Sequence, residues 1–283
     1  MATSAVVAAW ELGLRLRERR DQLDLSVAAA AKAVKMQQSN LSAVESGKKK
    51  ITASNLSKLA KLYEFEPGET EELEALRVGA DQRDWYHEYT WLLDEDFIRY
   101  LGLETGAKHL RTYQNSIVPG PLQTTDYTLA LIRGAPYVRL TELEPRLKVR
   151  QTRQRRLVGD EPLHVFALLS EAVLRQEIGG RQVLLGQLEQ LVRLATDRDN
   201  IEIRVIPFGA GAHAALGSPF QTLSFASPRL PDVLWLEALT AYSIIEHPVQ
   251  VHEFVVAFAE ANANALDTES SVDFIRQIIE ELT

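Results

Sequence analysis

The sequence predicts two folds in one chain: a small all-α amino-terminal domain, then a larger α/β (α+β) domain with a mixed sheet. Three observations lead there. Apolar residues recur at helical spacing through about residue 66, whereas later β-rich apolar runs alternate with helical stretches. Charge divides the chain at similar places. Residues 10–61 hold eleven Lys and Arg against five Asp and Glu, residues 64–104 three against thirteen, and residues 105–283 seventeen against twenty-one. Finally, 283 residues with 46% hydrophobic content suffice for two cores. The boundaries expected from these shifts are 8–66 for the helical domain, 67–105 for an acidic helical connector, and 106–283 for the larger domain.

Four short helices are expected in the first part. Trp10, Leu12, Leu16 and Leu23 mark the first, with Arg15, Arg17, Arg19 and Arg20 around it. Ser26 suits the N-cap of a second, VAAAAKAV, whose alanines combine helix propensity with close packing. Lys35 and Met36 leave room only for a tight turn. A third helix then runs to Gly47, suited to a left-handed C-cap, and Ser54 opens a fourth with Leu56, Leu59, Leu62 and Tyr63.

The third helix has an unusual outer face. In KMQQSNLSAVESGKKK, Leu41 and Val44 supply the buried side, leaving Gln37, Gln38, Ser39 and Ser42 outward. A face selected only for hydration would carry Glu and Lys. Amides and hydroxyls instead match base edges: one α-helix fits the major groove of DNA, and Gln can bond adenine N6 and N7 together. Lys48, Lys49 and Lys50, just past the helix, suit phosphates. Double-stranded operator DNA is therefore the expected partner of the basic part.

From Leu25 to Lys48, LSVAAAAKAVKMQQSNLSAVESGK resembles the helix-turn-helix core of xenobiotic-response-element (XRE) type bacterial regulators, without a gap. The resemblance implies that Gln37, Gln38, Ser39 and Ser42 face bases. It also implies a structural pair between Glu45 and a first-helix arginine, which points here to Arg15. Lys35 departs from the pattern, which has glycine in the turn; a lysine held left-handed costs on the order of 1 kcal/mol.

In the acidic stretch, Trp85, Tyr86, Tyr89 and Trp91 read as core rather than a ligand cage. Beyond it, LHVFALL, IEIRVIPF, FQTLSFA and VLWLEAL read as strands, with a helix over about 181–195 between the first two and closing helices near 249–266 and 270–282. That element order resembles half of a phospholipase D fold. In TELEPRLKVRQTRQRRLV the stripe Leu143, Leu147, Leu157 carries Arg150 and Gln154 with it, so a buried arginine is expected, with Glu171 or Glu104 as its partner. Two readings of this helix stay open: a structural ion pair, or a ligand or partner site. Arg153, Arg155 and Arg156 are expected in water.

The motifs YLGLE, LRTYQ, VPGPLQT, RQTRQ, LSEAVLR, RVIPFGAGAH and VHEFVVAF, over about residues 84–282, are similar to the carboxyl-terminal domain of a large actinobacterial family of antitoxin-like transcriptional regulators. Pro121 and Gln114 replace commoner residues there. The resemblance implies a regulatory body that binds a small protein encoded by a neighbouring gene. The alternative is a small-molecule-sensing repressor, with loop 207–219 and the Arg150 helix lining a pocket.

Catalysis has little support in the string. A phospholipase needs His-x-Lys, but Ala214 and Ala215 follow His213; a zincin needs a second histidine where Val256 stands. No Gly-x-Ser-x-Gly elbow occurs, and the six histidines show no metal spacing, so no enzyme activity and no cofactor or metal is expected. Absent cysteine, absent apolar runs of about 18 residues and a basic stretch following AVVAAW point to a cytoplasmic chain with no membrane role. A homodimer is expected, because two half-sites give a helix-turn-helix protein its ordinary operator affinity.

Overall fold

The computed structural model describes residues 4–238 and 241–283, and the chain divides into two compact units, 1–87 and 88–283. The boundary falls inside the stretch expected to be one acidic connector. The first unit contains α1 (Ala5–Gln22), α2 (Val27–Ala33), α3 (Gln38–Glu45), α4 (Ala53–Leu62) and α5 (Pro67–Ala80). Ser4, Ser26 and Thr52 cap α1, α2 and α4 with their side chains, and Glu66 and Glu69 form a capping box around Pro67 at the start of α5. The fourth helix therefore begins two residues earlier, from Thr52 rather than Ser54.

One stop signal ends the first four helices. Asp24, Lys35, Gly47 and Glu64 all have positive φ, between 51° and 68°. Behind each, the chain closes the paired hydrogen bonds of a Schellman motif: Met36 N–H to the Ala31 carbonyl after α2, Lys48 N–H to the Ala43 carbonyl after α3. Only the third uses glycine. There a Cβ would lie 2.8 Å from the Trp10 Cα, so the close approach of α1 excludes any side chain. Leu12, Leu16, Val34, Leu41, Val44, Leu56, Leu59 and Leu73 close a single core.

The second unit contains α6 (Glu95–Gly106), β1 (His109–Gln114), α7 (Thr125–Gly134), α8 (Leu143–Gln154), β2 (His164–Ser170), α9 (Glu171–Arg175), α10 (Arg181–Asp197), β3 (Ile201–Ile206), β4 (Phe220–Ser224), β5 (Val233–Ala238), β6 (Ala241–Ile245), α11 (Pro248–Ala263) and α12 (Thr268–Leu282). The sheet is mixed, in the order β3-β2-β1-β4-β5-β6: β1, β2 and β3 pair parallel, the rest antiparallel. Helices α7 to α10 supply the crossovers that parallel pairing demands. Val251, Phe258 and Ala261 of α11 pack with Tyr113, Leu168, Phe220 and Leu234 of the sheet.

Two strands, β1 and β6, are additional to the four expected, so the order that suggested a phospholipase D half is an abridged one and carries no argument. Leu239, the last residue of the VLWLEAL run, lies outside the described residues. Of the acidic-stretch aromatics, Tyr86 and Tyr89 are buried, whereas Trp91 is 67% exposed and is not core. No helix among the described residues is long and apolar enough to cross a membrane.

Candidate nucleic-acid interface

The outward face of α3 begins with an unusual cap. Gln37 occupies the N-cap in extended conformation (φ −74°, ψ 140°) but makes no side-chain cap bond, unlike Ser26 and Thr52. Its amide is thus not spent on the helix. Gln37, Gln38, Ser39 and Ser42 are all exposed, Leu41 and Val44 are buried beneath them, and Lys48, Lys49 and Lys50 are exposed just beyond. The seven residues expected at a DNA surface therefore lie along one short helix and its C-terminal turn. The Lys49 Nζ donates to Asn40 Oδ1 at 2.7 Å, which leaves the Asn40 NH₂ for another acceptor. Asn40 was not among the residues expected at the face; its place one turn behind Gln37 was the available signal. Lys50 lies 3.9 Å from Asp81, an exposed pair too screened to hold it.

A buried fork fixes this helix against α1, with a different arginine from the one the resemblance suggested. Arg20, not Arg15, pairs with Glu45: Nε to Oε1 at 2.7 Å and Nη2 to Oε2 at 2.9 Å, both side chains buried. The remaining Arg20 Nη1 donates to Asp21 Oδ1 and the Leu25 carbonyl. Hydrogen bonding to Glu45 outweighs burial and raises the Arg20 pKa, so the charge is permanent. Arg15, five residues earlier, pairs instead with Glu72 of α5 at 2.8 Å. Arg19 holds the end of α4 by donating to the carbonyls of Tyr63 and Glu64. At Gly13 a Cβ would stand 2.3 Å from the Val44 carbonyl oxygen, so α1 and α3 touch backbone to backbone.

The second unit holds its own buried fork, again on a different arginine from the expected one: Arg153, three residues after Arg150. On α8 the buried residues are Val149 and Arg153, continued by Leu157, four residues apart in each step. Arg153 therefore enters the core and Arg150 only partly. Arg153 Nε and Nη2 donate to Glu104 Oε1 and Oε2, both at 2.7 Å. The Tyr100 hydroxyl donates to Glu104 Oε2 at 2.7 Å, and the Arg153 guanidinium lies over the Tyr100 ring at 5.4 Å. Burial pushes the Glu104 carboxyl up, but Arg153 beside it prevails and its pKa is lowered.

Arg150, expected to be the buried ion, is largely buried and, of its two expected partners, feels Glu104 through space. Burial and the like charge of Arg153 lower its pKa to about 10. Its guanidinium lies on Gly120, where a Cβ would be 2.0 Å from Nη1. Gln154 donates to the Gln123 carbonyl, and Glu171 pairs with Arg175 and accepts from the Phe208 N–H at 2.8 Å, so neither forms the expected network with Arg150. Much of the VPGPLQT and RQTRQ motif material is structural. Gln123, Gln187 and Gln154 satisfy one another's loop, Gln187 by donating to the Leu122 carbonyl and accepting from Thr124 N–H. Arg156, expected in water, donates to the Ala107 carbonyl at 2.9 Å.

A helix-turn-helix DNA-binding unit joined to an α/β unit is the class that fold and site define. Residues 11–73 match a family described as a helix-turn-helix domain. Residues 97–277 match the family described as a domain of unknown function (DUF5753), and the chain belongs to that family. No curated protein and no solved structure matches the chain.

Proposed function

We propose that the chain is a sequence-specific, antitoxin-like transcriptional regulator of the XRE type, bound to its operator as a homodimer through the face of α3. One observation carries this reading: four uncharged hydrogen-bonding side chains are exposed together on a helix whose back is locked into the core, with three lysines at its end. Gln37 and Gln38 read bases, Ser39 and Ser42 support them, and Lys48, Lys49 and Lys50 grip phosphates. Arg20 and Glu45 hold the reader without touching DNA.

The second unit serves as the regulatory body, with no catalytic step, and receives a small protein encoded by a neighbouring gene. Its likeness to antitoxin-like regulators supports this. Mixing the full chain with its promoter fragment and the adjacent small protein tests both halves. Retention of the promoter over a shuffled duplex supports the reader, and a change in that retention when the small protein is added supports the partner. Loss of either result removes that half alone.

A further inference from the structure

A cavity of about 430 Å³ lies in the second unit at the carboxyl end of β1, against β4, β5 and β6. That volume is within the range of small-molecule sites, roughly 300–1,000 Å³. Loop 207–219 contributes only its last residue and the Arg150 helix nothing, so it is not the pocket expected from sequence. Its walls are aromatic: Phe220, Trp235 and Tyr242. Trp235 is 1% exposed and stacks on Tyr100 at 4.5 Å and on Tyr242 at 5.2 Å, so the wall is rigid. Its indole N–H is buried with no acceptor among the described residues.

Two acceptors on this cavity, the Glu237 carboxylate and the Gln114 amide oxygen, bear on the sign of charge it admits. Among the described residues, Glu237 is its only ionic lining residue, and no Lys, Arg or His lines it. Gln114 uses its NH₂ on Thr112 Oγ1 at 3.0 Å, which leaves its carbonyl oxygen as an acceptor. An anion meets repulsion from Glu237 and no cationic lining residue among those described. A cation meets a carboxylate, an amide oxygen and ring faces of the attracting sign. We propose that this cavity binds a compact organic cation with an apolar body, an amine or substituted ammonium whose charge is held by Glu237 and the aromatic walls. Arg150 and Arg153 interact with Glu237 through space without lining the cavity. This inference goes beyond the DNA-reading function and stands or falls without it.

The test is calorimetric titration of the full chain with three probes of one shape: 2-phenylethylamine, 2-phenylethanol and phenylacetate. The amine binds most tightly, the alcohol at least tenfold more weakly and phenylacetate not measurably. Glu237→Gln weakens the amine about tenfold and leaves the alcohol unchanged; Glu237 is exposed, so the variant folds, as circular dichroism checks. Phenylacetate binding as tightly as the amine, no amine binding by the folded protein, or equal amine binding by Glu237→Gln overturns the proposal.

Discussion

The two units share an internal device and differ in the surface it supports. Each carries one buried, bidentate Arg–Glu fork between helices: Arg20 with Glu45 in the first, Arg153 with Glu104 in the second. In the first unit the fork backs a convex ridge of exposed amides and hydroxyls. In the second it sits beside a concave aromatic wall, reached through Tyr100, which bonds Glu104 and stacks on Trp235. A protruding polar helix suits a ligand with edges to read, and a rigid concavity suits a molecule that it encloses. The comparison teaches that a buried ion pair states how firmly a surface is held, while the exposed chemistry states what it is held for.

The forks themselves are the largest lever. Glu104→Gln leaves Arg153 charged in the core and should cost about 3–5 kcal/mol, read by urea unfolding of the second unit. Glu45→Gln should cost less, about 1.5–3 kcal/mol, because Arg20 keeps Asp21 and the Leu25 carbonyl. Equal losses would mean that the two forks are equivalent and the comparison empty.

Acid sharpens the contrast. The folded Glu104 pKa lies below its ordinary value, so its contribution is fully present above the unfolded pKa of about 4.3 and drains away as pH falls through the folded value. Unfolding free energies between pH 7 and pH 3 should thus fall more steeply for the wild type than for Glu104→Gln. A parallel pair of curves would contradict the assignment.

On the ridge, replacing Lys48, Lys49 and Lys50 together by Ala should weaken binding to all duplexes and reduce the salt slope by about 3 per bound unit. Stability should hardly change, as these side chains are exposed. The smallest expected effect is at the turn. Lys35→Gly relieves a left-handed lysine (φ 58°) and should stabilise the first unit by less than about 1 kcal/mol, since glycine also loosens the unfolded chain. Thermal unfolding would check it.

Much of this was legible before any coordinates. The amide ridge followed from Leu41 and Val44 alone, because helical spacing leaves no other face for Gln37, Gln38, Ser39 and Ser42. The left-handed Lys35 followed from the resemblance, which has glycine at that place in the turn. What escaped has physical causes. HLRTYQ does not look like a central strand, since Thr112 and Gln114 are polar; they are buried by bonding the Phe220 carbonyl and each other. A stripe anchored at Leu143, the first residue of α8, points to Arg150; counting back from Leu157 by fours reaches Arg153 and Val149. Arg15 and Arg20 lie five apart on one helix, and only packing against α5 decides which meets Glu45. The cavity joins residues from four strands and had no local signal.

The most direct measurement is the ratio of affinities for the chain's own promoter fragment and a shuffled duplex of equal length, at one salt concentration, for the wild type and Gln38→Ala. The wild type should prefer the promoter by about a thousandfold or more. Gln38→Ala should lose about 1–3 kcal/mol of that preference while binding the shuffled duplex as before. Equal affinity of the wild type for both duplexes, or an equal loss on both in the variant, would contradict the account.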